Sequence, residues 1–171
     1  ASAQAVCPAR RSELCRVGEL RDTTVLQDEW WALPYPIIID SGVSESVMPC
    51  DWAGHIPTEQ TELSKKGHTY TAANGEPIVD KGRETMCLWT EDDLRRDMCF
   101  QVCDKVDKAL GSVSGMCSRG NGVVFNPEGH PDGSYIEHIG TGTTMMLRQS
   151  HGVYVLDAAV GPASDFTRPG R

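Results

Sequence analysis

Ile37-Ile38-Ile39-Asp40-Ser41-Gly42-Val43 is the stretch from which the fold reads most directly. Three β-branched residues in a row favour a strand, and the lack of polar alternation favours burial on both faces. The run then stops on an acid, a hydroxyl and a glycine. A carboxylate at the end of a buried strand is costly unless it is hydrogen-bonded or used in chemistry. The Ser41 hydroxyl can bond neighbouring backbone, and Gly42 permits a sharp turn and close backbone approach. Two such loops related by symmetry bring their carboxylates so close that the pair shares one proton. The ionised member can then deprotonate a water while the protonated one polarises a peptide carbonyl. The same residues also make an ordinary strand-to-turn boundary, because Asp, Ser and Gly are good turn formers.

On either side of this stretch the signals are short strands and tight turns, so the expected class is all-β with one small helix. His68 to Ala73 and Glu76 to Asp80 flank Asn74-Gly75, the strongest short-range hairpin signal. Pro77 cannot donate to a ladder, which marks its arm as an edge. Met98 to Val102, Val123 to Phe125, Ser134 to His138, Thr143 to Leu147 and Val153 to Leu156 read as further strands. Gly120-Asn121-Gly122, Gly140-Thr141-Gly142 and His151-Gly152 punctuate them. The helix is expected between Gly111 and Cys117. Trp30-Trp31 and Leu33-Pro34-Tyr35-Pro36 read as an extended lead-in. Residues 1–33 form an N-terminal extension, partly disordered, with weak helical spacing at Leu14, Val17 and Leu20. Residues 34–160 form the domain, and residues 161–171 a flexible tail.

The 171 residues carry 16 Lys and Arg against 24 Asp and Glu, a net charge of −8. That balance opposes a phosphate-tracking nucleic-acid binder. No wholly aliphatic run exceeds Ile37-Ile38-Ile39, far short of the ~20 apolar residues of a membrane span. Neither nucleic acid nor membrane is expected as a partner. Ala1 to Arg11 show no secretory signal, and a first residue other than Met suggests a piece cut from a longer chain. Seven cysteines cannot pair completely within one chain, and none stands in Cys-x-x-Cys or at zinc-finger spacing from a histidine. Reduced, mostly buried thiols in a cytoplasmic chain without a metal are the expectation.

Other candidates read as structure. Glu91-Asp92-Asp93 with Arg95-Arg96 is a solvated hairpin loop, and Lys65-Lys66-Gly67-His68 is too short for nucleic acid. Val155-Leu156-Asp157 mimics the strand-then-acid pattern but lacks the hydroxyl and the glycine. A serine-hydrolase elbow, a phosphate loop and a dithiol motif are all missing.

Four blocks, in order, resemble the retropepsin-like aspartic protease domain of retrotransposon polyproteins, in its copia-type arrangement. Ile38 to Pro49 is similar to the active-site loop, and Tyr70-Thr71-Ala72-Ala73-Asn74-Gly75-Glu76-Pro77-Ile78 to the flap hairpin. Phe100-Gln101-Val102 through Leu110-Gly111-Ser112-Val113-Ser114 resembles the strand and small helix near the end of the protease core. Gly122 to Phe125 and Gly152 to Asp157 resemble the strands that follow. The resemblance spans residues 37–157 and implies an aspartic endopeptidase cutting a retroelement polyprotein. Asp40 is then the catalytic acid, and the Ser41 hydroxyl bonds across to a partner loop. Gly42 gives the turn. Ala72, Ala73, Asn74 and Gly75 form a mobile flap over a peptide bound in extended form.

Only one Asp-Ser-Gly occurs, so the second acid must come from another chain and the enzyme is a homodimer. It needs no cofactor. Activity is expected to fall on dilution and to favour mildly acidic pH. Two positions depart from the pattern. Val43 replaces the usual Ala and is expected to crowd the loop. Gly111 removes packing behind the site, at about 1–3 kcal/mol by analogy with large-to-small core changes. The alternatives are a catalytically silent dimerisation or binding module of the same fold, and an unrelated β-domain with a chance Asp-Ser-Gly.

Overall fold

The computed structural model describes residues 30–53 and 56–163. Cys7, Cys15, His55, the helical spacing at Leu14 to Leu20 and the tail beyond residue 163 lie outside the described residues. Within them the chain is all-β. Trp31–Ala32 (β1), Ile37–Asp40 (β2) and Val47–Pro49 (β3) come first, followed by the short helix Glu62–Lys65 (α1). Thr69–Thr71 (β4), Pro77–Thr90 (β5), Arg95–Cys103 (β6) and Leu110–Ser112 (β7) lead to a second helix, Val113–Cys117 (α2). Asn121–Val124 (β8), Ser134–His138 (β9), Thr143–Ser150 (β10), Val153–Leu156 (β11) and Ala158–Pro162 (β12) complete the chain.

The sequence points to one helix from Ile37 on, and the described residues hold two. α1 buries no residue; a capping box holds it, Thr61 Oγ1 accepting from Ser64 N–H and Ser64 Oγ from Thr61 N–H. Such a local device leaves no apolar periodicity to read. Asn121 and Gly122, read as turn, lie inside β8. The sheet also begins ahead of residue 33: Trp30 is buried, and β1 pairs with β12.

The strands form one curled, open sheet in the order β1-β12-β5-β6-β3-β7-β2-β11-β10-β9-β8, with β4 paired to β5 outside that row. β2 sits centrally, parallel to β7 on one side and antiparallel to β11 on the other. Ile37 and Ile39 are buried and pack with Met48, Phe100, Val102 and Leu156, while Ile38 is only half covered. Burial is therefore complete on one face of β2, not on both.

Three hairpins show how turn chemistry sets register. At Asn74-Gly75 the loop has three residues: Ala72 C=O accepts from Gly75 N–H (2.9 Å) and Ala72 N–H donates to Glu76 C=O (2.9 Å). Only Gly75 has positive φ, and Asn74 Oδ1 accepts from Glu76 N–H. The β5–β6 connection repeats this form at Thr90 to Leu94, with Asp93 in the left-handed position. His151-Gly152, both at positive φ, makes the two-residue turn between β10 and β11. Pro77 pairs with Thr71 on one side, and no described strand pairs its other side.

β5 carries two buried acids. Asp80 Oδ1 accepts from Gly82 N–H across a bulge, and Glu84 Oε1 accepts from Thr58 Oγ1 at 2.6 Å. The second oxygen of each has no partner among the described residues. Burial pushes the Glu84 carboxyl above its ordinary value, against the Thr58 hydrogen bond, which lowers it. A carboxyl raised in this way favours the fold fully below its unfolded pKa, and that contribution is lost as pH rises through the folded value. Glu84→Gln should therefore match the parent in urea midpoint near pH 4 and become the more stable protein as pH approaches neutrality. A gap that shrinks with rising pH would contradict this.

Candidate functional site

Asp40 ends β2 in direct register with Ser112, the last residue of β7. Because β3 lies on the far side of β7, the chain from Ser41 to Ser46 must cross over the end of that strand. Ser112 holds the crossing from beneath. Its hydroxyl is fully buried and lies 2.8 Å from Val43 C=O and 3.1 Å from Ser44 C=O, as a donor shared between them. The same oxygen accepts from Gly115 N–H at 3.0 Å, capping α2. Ser112 N–H donates in turn to Ser46 Oγ at 2.9 Å, and Gln101 N–H to Ser46 C=O at 2.8 Å.

This cradle presents Asp40 half-buried at the surface. Asp40 Oδ1 accepts from Gly42 N–H at 2.6 Å, a bond within the loop that aims the carboxylate. A Cβ on Gly42 would stand 3.1 Å from that oxygen, close enough to press on the carboxylate. Ser41 is exposed, and its hydroxyl bonds to nothing among the described residues. Val43 is accommodated half-buried with its carbonyl held by Ser112.

The expected packing loss at Gly111 does not occur. The space a Cβ would take is filled by Met116 Cε (2.9 Å), Ile39 Cδ1 (3.0 Å) and Met98 Cε (3.3 Å). Two of these are ends of flexible side chains, which can give only part of the room. Gly111→Ala is therefore expected to destabilise, by about 1–2 kcal/mol from overpacking, in chemical denaturation. A gain in stability would mean that the space is open.

Ala72, Ala73, Asn74 and Gly75, expected as a flap, form the tip of the β4–β5 hairpin, and no hydrogen bond among the described residues ties them to Asp40, Ser41 or Gly42. The two regions are linked at the hairpin's base, where Tyr70 OH donates to Glu45 Oε2 at 3.2 Å. Burial, reinforced by the charges of Glu45 and Asp80, pushes the Tyr70 hydroxyl well above its usual range, so it remains a donor. Ser112, Ser46 and this Tyr70–Glu45 bond were not read from the sequence. Each lies inside a recognised block, but their roles depend on contacts with residues distant in the chain.

The chain supplies no second acid to Asp40 among the described residues. Asp157, the other strand-end acid, is held by Arg148, Nε to Oδ2 at 2.8 Å and Nη2 to Oδ1 at 2.9 Å. Thiol chemistry has little support: burial pushes Cys87 up to about 11 and Cys103 up to about 12. Five described cysteines are free, of which only Cys87 and Cys103 are buried, fewer than expected; Cys117 is exposed. No group of His, Cys, Asp and Glu among the described residues could hold a metal ion. No helix among them is long and apolar enough to cross a membrane.

Surface cavities of about 580 Å³ beside Tyr35 and Trp89 and of about 540 Å³ beside Ser44 to Ser46 are lined by neither Asp40 nor the Ala72 to Gly75 hairpin tip. Compared with family models, curated proteins and solved structures, the chain matches none.

Proposed function

We propose that the domain is a retropepsin-like aspartic endopeptidase that works as a symmetric homodimer on an extended polypeptide, within a retroelement polyprotein and in the cytoplasm. The observation that carries this reading is the Asp40 loop, a half-buried carboxylate at the end of a central strand. Its own loop amide aims it, and a buried serine on the neighbouring strand holds the loop.

Each protomer contributes one Asp40. The two carboxyls share a proton. The ionised one takes a proton from water, whose oxygen adds to the scissile carbonyl carbon, while the protonated one donates to the carbonyl oxygen. Collapse of the tetrahedral species returns a proton to the leaving amine and breaks the C–N bond. The Ser41 hydroxyl, which bonds to nothing among the described residues, bonds the partner's loop and fixes the spacing of the acids. Gly42 leaves room for the carboxylate. Ala72 and Ala73 let the hairpin pass close to the substrate backbone, and Asn74-Gly75 closes over it and excludes water.

Hydrolysis of an unstructured polypeptide at mildly acidic pH, followed over serial dilution, tests the reading. The rate per chain should fall as the dimer dissociates, and the pH profile should be bell-shaped with apparent pKa values belonging to the pair. A rate per chain that is constant down to nanomolar protein would sink the shared site. A folded dimer that never cuts would identify a silent binding module.

A further inference from the structure

We propose that Asn74, at the tip of the β4–β5 hairpin, is a site of spontaneous covalent modification, where the side-chain amide closes onto the Gly75 backbone and is hydrolysed to aspartate and isoaspartate. The inference is independent of the protease reading. The chain has three asparagines, Asn74, Asn121 and Asn126, and the fold leaves only the first free to react. In the reaction the Gly75 nitrogen gives up its proton and attacks Asn74 Cγ. The new N–Cγ bond closes a five-membered imide. The Cγ–Nδ2 bond breaks, and Nδ2 leaves as ammonia, carrying the proton that Gly75 lost. Water then adds to either imide carbonyl and opens the ring to an aspartyl or an isoaspartyl linkage.

The tip suits each stage. Gly75 has φ +84° and no atom within 4 Å of the place a Cβ would take, so its nitrogen is unshielded on that side. Asn74 Oδ1 already accepts from Glu76 N–H at 3.1 Å, a donor placed where negative charge develops on that oxygen during the attack. Nδ2, the leaving group, makes no hydrogen bond among the described residues. The restraint is Gly75 N–H, which donates to Ala72 C=O at 2.9 Å. Ala73, Asn74 and Gly75 are all exposed, so releasing that bond disturbs no packed side chain and costs little.

The same dipeptide at Asn121-Gly122 is held shut. Both residues are half-buried within β8 and pair with His138 and Glu137, and Asn121 Nδ2 donates to Met116 C=O at 3.0 Å. Asn126 precedes Pro127, which has no N–H to lose, and its own Nδ2 donates to Gly133 C=O at 2.6 Å. An isoaspartyl linkage at position 74 lengthens the hairpin loop by one backbone carbon and sets a new carboxylate beside Glu76. The loop then no longer closes through its Ala72–Glu76 and Gly75–Ala72 bonds.

Peptide mapping by mass spectrometry tests the assignment on the full chain, incubated at mildly alkaline pH in native buffer and, in parallel, in guanidinium chloride. The denatured chain is the clock, because Asn74 and Asn121 are both followed by glycine and should there react alike. In the folded chain Asn74 should still convert, while Asn121 reacts at least about tenfold more slowly and Asn126 stays intact. Asn74→Gln, whose longer side chain must close a larger ring, should acquire no new acidic form on isoelectric focusing over the same period. The proposal is overturned if Asn74 stays intact in the folded chain over the time in which the denatured chain converts both sites. It is equally overturned if Asn121 keeps pace with Asn74 in the folded chain, or if Asn74→Gln turns acidic as fast as the parent.

Discussion

Asp40→Asn is expected to reduce peptide hydrolysis by about a thousandfold or more, to the background of the assay, while leaving the chain folded and dimeric. Positioned proton transfer accounts for about 10²–10⁴ in rate, and in the proposed dimer the substitution removes both carboxyls at once. The amide can still accept the Gly42 N–H through its oxygen, so the bond that shapes the loop survives. Asp40 is half-buried with no ion pair among the described residues, so no charge there is left stranded by the change. The comparison therefore separates chemistry from folding. Progress curves at mildly acidic pH, with sedimentation to show the dimer, make the measurement. Equal cleavage by parent and variant would place the activity elsewhere and remove Asp40 from the mechanism.

The largest effect on stability is expected at Ser112. Its hydroxyl is fully buried, so water cannot replace it when it is removed. Ser112→Ala strands Val43 C=O and Gly115 N–H and loosens Ser44 C=O, which Ser114 Oγ holds only weakly at 3.5 Å. Losing a helix cap and leaving the half-buried Val43 carbonyl unpaired costs about 2–3 kcal/mol, or roughly 5–10 °C in Tm for a chain of this size. Hydrolysis should fall as well, because the crossing loop no longer fixes Asp40. Ser41→Ala makes the contrast. That hydroxyl bonds to nothing among the described residues, so its loss should spare the isolated protomer and act on the activity of the proposed dimer alone. Thermal unfolding of both variants checks the pair, and an unshifted Tm for Ser112→Ala would refute the cradle.

Strands with strong local signals were legible. Ser134–His138 and Val153–Leu156 fall where β-branched content and turn residues place them, and the charged loop at Glu91 to Asp93 closes the longest hairpin. β1, β3 and β12 were not, since short runs such as Trp31–Ala32 are strands only because a distant partner pairs with them. Propensity at Asn74-Gly75 gave the hairpin but not its turn. Asn74 keeps negative φ because its side chain caps Glu76 N–H, which leaves Gly75 alone to turn left-handed. At Gly111 the sequence suggested missing bulk, yet the methionines that fill the space come from β6 and α2. For the site, the acid, hydroxyl and glycine could be read because they are adjacent. The serine that holds them could not, because its partners lie in a different segment.

The antiparallel partner of β2 is β11, from the far end of the described chain, with Ile38 opposite Val155. A nascent polypeptide that has exposed Ile37–Asp40 must wait until Val153–Leu156 leaves the ribosome before that strand is flanked on both sides. At cellular elongation rates the interval is on the order of 10 s. During it the isoleucines remain an unpaired hydrophobic edge, a template for aggregation or a client for chaperones. The topology thus works as a timer, delaying completion of the sheet around β2 until Val153–Leu156 has been made.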